Sequence, residues 1–210
     1  MKNNSTVLIV FLLALLLLAP GCTNNAAPPQ EPPVTSGTPG TIADVFPLTQ
    51  GSTWEYHGVG NEFAAFKQEV VFAEGKKGQI RKDNGGTVSA AVFEISDDAV
   101  TRVFFQGESY EDENFLEEES AEKVIVIKAP LEAGTTWEEP NGTRKIISVN
   151  ETVTTPAGEF KDCLKIEVAN GNSTIYEYYK AGVGLIMSQF SSNEAPDEKI
   201  TSLLESYDIK

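Results

Sequence analysis

This chain has few of the residue types on which most catalytic and metal sites depend. Its 210 residues include one histidine, His57, and two cysteines, Cys22 and Cys163. One histidine excludes a zinc site built from two or three imidazoles of the same chain, and no Cys-x-x-Cys or Gly-x-Ser-x-Gly motif occurs. The sequence therefore predicts no enzyme, no catalytic residue, no metal ligand and no cofactor, and we interpret His57 as a surface residue.

Basic residues are also scarce. Lys and Arg total 16 against 31 Asp and Glu, which gives a formal net charge of −15 at pH 7. Proteins that bind nucleic acid present a basic face to the phosphates, and this sequence has no cluster of Lys and Arg. The charge therefore excludes nucleic acid as a partner and favours a basic or neutral one.

The longest apolar run is too short to span a membrane. It has 13 residues, Val7 to Ala19, behind Lys2, whereas a membrane-spanning helix needs about 20. Such a run is typical of a secretory signal peptide. It ends in Ala19-Pro20-Gly21-Cys22, which resembles the lipobox of bacterial lipoproteins, although that pattern prefers Leu where Ala19 stands. The resemblance implies that residues 1–21 are a lipoprotein signal peptide; the alternatives are ordinary secretion and an uncleaved anchor helix.

Cleavage before Cys22 would make this cysteine the lipidated first residue of the mature protein. Two or more acyl chains of the palmitate type hold a protein on a bilayer almost permanently, since each buried methylene contributes ~0.8 kcal/mol. The predicted location is the outer, extracytoplasmic face of the cell membrane, with the membrane as a partner through the lipid anchor. Loss of Lys2 leaves 15 basic and 31 acidic residues, a formal charge of −16. Cys163 is then left without a disulfide partner.

Composition divides the remainder of the chain into a tether and a domain. Residues 22–41 hold five prolines and almost no large apolar residue, so they predict a Pro-rich tether without a core. Residues 42–210 are close to the usual size of one domain and predict a single β-rich domain.

A nine-residue segment of this domain occurs twice. Pro47–Glu55 (PLTQGSTWE) recurs 83 residues later as Pro130–Glu138 (PLEAGTTWE). In each copy the Leu side chain would pack into the core, Gly would permit a left-handed turn, and Trp would occupy the first inward position of a strand. The predicted structural anchors are Leu48, Gly51 and Trp54 in the first copy and Leu131, Gly134 and Trp137 in the second. Two copies are too few for a solenoid or propeller and indicate two related halves of one sheet.

Alternating apolar residues and turn signals predict many short strands. The predicted hairpin turns are Asp83-Asn84-Gly85-Gly86, Asn141-Gly142 and Asn170-Gly171. One strand face is predicted to carry Phe66, Val70 and Phe72, and another to carry Phe160, Leu164, Ile166 and Val168, with Cys163 pointing away from the main core.

The segments 100–105 and 124–127 are apolar on both faces, so both faces must be covered. A sandwich, a closed barrel, a packed helix and a concave face that holds an apolar ligand would each do this. Residues 197–207 fit an amphipathic helix or a closing strand, and we favour the strand. The predicted fold is mainly β, an antiparallel sheet with two related halves, as a strongly curved sheet, sandwich or open barrel with little helix.

Three segments together resemble poorly characterised, β-rich envelope lipoproteins, the TapB-like families. They are Phe46-Pro47-Leu48…Gly51…Trp54…Tyr56, Thr155–Phe160…Cys163 and Tyr178–Leu185. The resemblance implies a fold and an envelope location, and it carries no activity over to these residues.

Two further features are weak candidates for chemistry. The segment 108–122 holds eight carboxylates, but it lacks the spacing of a calcium loop, so we interpret it as a solvated acidic loop. Cys163 has no histidine or basic cluster placed to activate it, which indicates an inert thiol.

The sequence therefore predicts a non-catalytic binding or envelope-interaction module whose partner is a protein or an apolar ligand. A hydrolase of unrecognised type is the alternative.

Overall fold

The computed structural model describes residues 40–210, so the predicted signal peptide, Cys22 and nearly all of the predicted tether lie outside the described residues. Within this range the chain forms one short helix, α1, a single 3-10 turn at Glu62–Ala64 and twelve strands. The helix α1 is Ile42–Val45, and the strands are β1 (Thr53–Val59), β2 (Phe66–Glu74), β3 (Lys77–Asp83), β4 (Val88–Ile95), β5 (Ala99–Gly107), β6 (Val124–Lys128), β7 (Thr136–Glu139), β8 (Gly142–Thr155), β9 (Gly158–Asn170), β10 (Ser173–Lys180), β11 (Gly184–Ser192) and β12 (Lys199–Asp208).

All twelve described strands belong to one antiparallel sheet, in the order β6-β5-β4-β3-β2-β1-β12-β11-β10-β9-β8-β7. Each half of the chain is a six-stranded meander, and β1 joins the halves by pairing with β12 from Thr53↔Asp208 to Val59↔Thr201. The predicted mainly β fold, with two related halves and little helix, is confirmed. Residues 197–207 contribute the closing strand β12, as favoured above.

The sheet curls strongly, which gives it a concave face with a core. Phe46 lies between Phe93 of β4 and Tyr179 of β10, with ring centroids 5.0 and 6.4 Å apart. These two strands stand third and ninth in the sheet order, so a single side chain can touch both only on the inside of a nearly closed sheet. Of the predicted alternatives, the strongly curved sheet or open barrel is the one formed.

The helix α1 closes one end of the curled sheet. Val45 is fully buried, and the carbonyl of Asp44 accepts a hydrogen bond from the amide of Gly182 at 2.7 Å, at the connection between β10 and β11. Thr41 and Asp44 form a reciprocal capping box, in which the Thr41 amide donates to Asp44 Oδ2 at 2.7 Å. This hydrogen bond and that of the Thr41 hydroxyl lower the pKa of the Asp44 carboxyl. A four-residue helix is thus fixed by its cap and by burial.

Side chains bridge the gap between the two outer strands. β6 and β7 stand at opposite ends of the sheet order and share no backbone ladder in the described residues. The indole Nε1 of Trp137 donates to the carbonyl of Ile125 at 2.8 Å, and the guanidinium of Arg144 donates to the carbonyl of Val126 at 3.2 Å. We call this gap the β6/β7 seam, and the paired junction of β1 with β12 the β1/β12 seam.

The acidic segment covers the convex face of β3, β4 and β5. Leu116 is buried with Val92 and Val103 of the sheet, and the amide side chain of Gln79 donates to the carbonyl of Glu113 and accepts from the amide of Phe115, at 2.8 and 2.7 Å. All eight carboxylates of the segment are exposed. The segment is therefore a loop as predicted, but its backbone and its two apolar side chains are docked. It covers the second apolar face of β5.

Irregularities in two strands overturn two predicted faces. A bulge at Val71 breaks the alternation in β2, so Val70 pairs with Ile80 on the concave side while Phe72 packs against the convex cluster. In β9, Asp162 adopts φ 54°, and Phe160 lies in a different cluster from Leu164, Ile166 and Val168. Prediction from strict period-two alternation is wrong at both places, because one extra residue in a strand reverses every side chain beyond it. The turn between β9 and β10 is Gly171–Asn172, one residue later than predicted.

Candidate functional site

A cavity of about 300 Å³ lies at the end of the curled sheet opposite α1. It sits beside Ile175 and Phe190, whereas α1 contacts the other end of the same strands, β10 and β11. We call it the open-end cavity. It is lined by Asn61, Phe63, Ala64, Phe66, Lys82, Ile175, Ser188, Phe190, Ile200 and Ser202. Phe63, in the 3-10 turn at its rim, is 56% exposed, so solvent reaches the cavity past this ring.

Strand pairing places these side chains on one concave surface. Ser188 pairs with Ser202, and Phe190 pairs with both Ile200 and Ile175 in neighbouring strands. Directly paired residues of antiparallel strands project on the same face, so three strands present apolar and hydroxyl groups together. The Ser202 hydroxyl is already used, because it donates to the carbonyl of Ala64 at 2.6 Å and fixes the 3-10 turn.

Of the ten described residues that line the cavity, Lys82 alone is charged. Its Nζ lies 3.7 Å from the centroid of the Phe66 ring, a cation–π contact. No described carboxylate forms a salt bridge with Lys82, and no described group accepts a hydrogen bond from it. Desolvation by burial lowers the pKa of this ammonium, and the charge of Glu177 opposes that shift. A half-buried, unpaired cation thus faces an apolar cavity.

Deeper in the concave face, Arg144 of β8 joins two carboxylates from separate strands. Its Nε donates to Glu139, and its guanidinium donates to Glu177 Oε2 at 2.7 Å. Tyr179 also donates to Glu177, at 2.9 Å. Burial would lower the pKa of Arg144, but the charges of Glu177 and Glu139 outweigh it and raise the pKa, while burial and Glu177 raise the pKa of Tyr179.

Glu139 and Glu177 come from separate strands, as the two acids of a glycosidase-like hydrolase do. In such an enzyme the two acids face each other across the substrate. Here Arg144 lies between Glu139 and Glu177 and binds both, and neither residue lines the open-end cavity. The cluster is therefore a satisfied buried ion network that ties β7, β8 and β10 together.

Acids from separate strands also line an exposed groove of about 350 Å³, namely Glu55, Glu69, Asp83 and Asp208, and there Glu55 pairs with Lys67 and Asp83 with Arg81.

A larger groove of about 890 Å³ lies outside the opposite end, between the α1 segment and the hairpin tips. Its walls include Gln50, Glu74, Gly75, Lys76 and Asp97, which are exposed. Lys76 and Asp97 form a surface salt bridge of 3.7 Å across it. Its charges are solvated, so we regard the open-end cavity, whose lining holds a single charged residue, as the better binding site.

The structure keeps the other candidates for chemistry apart from this cavity. His57 is exposed on β1, opposite Leu203 of β12. Cys163 is fully buried, its Sγ donates to the carbonyl of Phe160 at 3.3 Å, and burial raises the pKa of its thiol to about 11. The prediction that it points away from the main core is wrong, because Cys163 belongs to the same buried core cluster as Val70, and this burial makes the thiol inaccessible.

The six repeat anchors also lie away from the cavity. Trp54 is 4% exposed and Trp137 is 5% exposed, each at the second position of its strand. Gly51 and Gly134 have φ values of 85° and 102°. Leu48 is partly buried against the cluster of Trp54, and Leu131 against the cluster of Trp137. The anchors therefore support the sheet, and none of them is among the described lining residues.

Sequence reasoning missed Lys82 and Arg144. A signal for each was present, because Lys82 stands two residues after the buried Ile80 and Arg144 stands two residues before the buried Ile146. Strand alternation places such residues on the inward face.

Two further kinds of site were sought in residues 40–210. No helix there has the length and hydropathy needed to cross a membrane, and no three His, Cys, Asp or Glu side chains converge on a metal position.

No protein-family model and no curated protein sequence matches this chain. Two solved structures are similar to it. One is a candidate lipoprotein from Parabacteroides distasonis ATCC 8503, with a TM-score of 0.45 and 16% identity over 80% of this chain and 99% of that one. The other is a candidate exported protein with a YmcC-like fold from Bacteroides fragilis NCTC 9343, with a TM-score of 0.40 and 14% identity over 80% and 100%. The resemblance to the TapB-like families stays a prediction.

Proposed function

We propose that this protein is a lipid-anchored extracytoplasmic lipoprotein whose β-rich domain binds an apolar ligand and does not catalyse a reaction. The anchor is Cys22, on the outer face of the cell membrane. The observation that supports the binding role is the open-end cavity, in which Phe66, Ile175, Phe190 and Ile200 supply an apolar lining. Ligand sites are typically concave and mostly apolar, with a few polar groups that fix orientation.

None of the candidate catalytic groups described above lines the open-end cavity, which favours binding over catalysis there. His57 is exposed on β1, Cys163 is buried, and Glu139 and Glu177 are both held by Arg144. A hydrolase would instead bring such groups into the cavity with room for substrate. Turnover of an ester, glycan or peptide library that disappears in His57→Ala or Glu177→Gln would overturn the proposal.

The binding role is tested on the full chain purified from its own envelope, by native mass spectrometry with lipid extraction in parallel. We expect an apolar species bound at a one-to-one ratio. Ser188→Phe should fill the cavity and reduce the bound species about tenfold or more, while Ser191→Phe, which projects from the other face of β11, should not. An empty wild-type cavity, or equal loss in both variants, would contradict the proposal.

The anchor is tested separately. Labelled fatty acid should be incorporated into the wild-type protein and not into Cys22→Ser, which should also leave the membrane fraction. Equal labelling and equal partition of the two forms would exclude Cys22 as the anchor. The outcome of this labelling test does not affect the interpretation of the cavity experiment, because the described domain begins well after Cys22.

A further inference from the structure

We infer that the ligand of the open-end cavity is a single-chain amphiphile with an anionic head group, which Lys82 binds. This inference rests on the proposed function and specifies its ligand class. The geometry that carries it is one ammonium at the wall of an otherwise uncharged, largely apolar cavity. A chain would lie against Phe66, Ile175 and Phe190, and its head group would meet Lys82.

Charge complementarity selects the sign of the head group. Lys82 has no salt-bridge partner among the described residues, although the protein has almost twice as many acidic as basic residues. Glu177, the carboxylate whose charge acts on Lys82, is already bound by Arg144. Partial burial of an unpaired cation costs free energy, so an anion that enters the cavity would supply the partner that the described residues do not.

The position of Lys82 also supports an exchangeable partner rather than a structural one. Its ammonium stacks on Phe66, which stabilises a cation without neutralising it. Burial lowers the pKa of Lys82, as expected of a cation that lacks a counter-ion, and an entering anion would raise that pKa again.

The volume of the cavity limits the length of the chain. A water molecule accounts for ~30 Å³ of the liquid, and a methylene group has about the same size, so about 300 Å³ holds a chain of about ten carbons. One chain of this length is enough to fill that volume. Decanoate is therefore a suitable probe, and decanol is its uncharged counterpart of equal length.

The test measures binding of radiolabelled decanoate and decanol by equilibrium dialysis to the full chain in nanodiscs. Lys82→Met in identical nanodiscs removes the charge and keeps a stem that packs on Phe66, so partition into the lipid cancels between the two. Lys145→Met removes an exposed lysine of β8 and serves as the charge-matched control. Circular dichroism of each variant checks folding.

We expect wild type and Lys145→Met to bind decanoate more tightly than decanol. Lys82→Met should weaken decanoate about ten- to a hundredfold, the usual effect of losing a charged hydrogen bond, and should leave decanol unchanged. Lys82→Arg should restore most of the preference. A parallel titration with decyl phosphate distinguishes a phosphate head group from a carboxylate.

Two negative results have different meanings. Equal binding of decanoate and decanol by the wild type would overturn the anionic head group and leave the apolar-ligand function in place. Binding of neither probe above empty nanodiscs would contradict the function itself.

Discussion

The two copies of the nine-residue repeat form the same local structure in different surroundings. In each copy the turn closes with one backbone hydrogen bond, and the glycine amide then reaches the next strand. The equivalent bonds are Ser52 N to Thr49 O (3.1 Å) and Thr135 N to Glu132 O (3.2 Å), followed by Gly51 N to Val70 O and Gly134 N to Ile146 O, both 2.8 Å. A segment of this length thus specifies its own turn and the first pairing of its strand.

What differs is the strand that each copy begins. The first copy begins β1, which is paired on both sides, by β2 and β12. The second begins β7, a four-residue strand paired with β8 alone among the described strands. Trp54 donates to the carbonyl of Val183, in the connection between β10 and β11, while Trp137 donates across the β6/β7 seam. The same residue therefore supports a continuous sheet in one half and replaces a missing ladder in the other.

The largest expected effect is loss of either tryptophan side chain. Trp54→Ala and Trp137→Ala should each lower the free energy of unfolding by about 3–5 kcal/mol, because each leaves a cavity where a buried ring was packed. Nearly equal burial predicts nearly equal losses, measured by denaturant unfolding. Midpoints that match the parent protein in both variants would mean that the repeat has no structural role.

The residues paired with the two tryptophans give the second prediction. Arg144 pairs with Trp137, and Gln68 pairs with Trp54 at the equivalent place. Arg144→Met should cost about 3 kcal/mol, because it leaves Glu139 and Glu177 buried without a cation. Gln68→Met should cost less than 1 kcal/mol, since the side chain of Gln68 bonds to no described group.

The Arg144 prediction has its own control. In Arg144→Met combined with Glu139→Gln and Glu177→Gln, most of the lost stability should return, because no buried charge remains unpaired. Equal costs for Arg144→Met and Gln68→Met in urea titrations would show that the two halves are supported in the same way.

The sequence predicts the parts of this comparison that depend on neighbouring residues. The repeat, the strand class and the two related halves all follow from local pattern, whereas the burial of Cys163 in the core does not. The bulge at Val71 and the left-handed Asp162 could not be predicted, because packing between distant strands selects them. The open-end cavity was not predicted, because the apolar faces that called for a cover were those of residues 100–105 and 124–127, and none of these residues lines it. Lys82 comes to face β10 and β11 only when the sheet curls, and no local pattern encodes that closure.

Loss of the indole hydrogen bond alone should have a smaller effect on stability, and it distinguishes the β6/β7 seam from the β1/β12 seam more directly. Trp54→Phe and Trp137→Phe keep most of the ring and remove the indole donor, which leaves a carbonyl without its partner at a cost of about 1–3 kcal/mol. In Trp137→Phe the carbonyl belongs to Ile125, so we expect faster hydrogen exchange confined to β6 and its neighbour β5. In Trp54→Phe the backbone hydrogen bonds between β1 and β12 remain, so we expect their amides to stay protected from hydrogen exchange. Equal acceleration in β6 and β12 would contradict the distinction.

The smallest effect tests what the two copies share. Gly51 and Gly134 have φ values of 85° and 102°, where an L side chain is strained. A Cβ at Gly51 would make only an ordinary contact with Lys210 at 3.6 Å, and no described atom lies within 4 Å of a Cβ at Gly134. Gly51→Ala and Gly134→Ala should therefore each cost about 1 kcal/mol, from backbone strain alone and regardless of the seam. Costs that differ by more than about 1 kcal/mol in parallel thermal and denaturant unfolding would mean that the sheet around each turn, and not the turn itself, determines its energy.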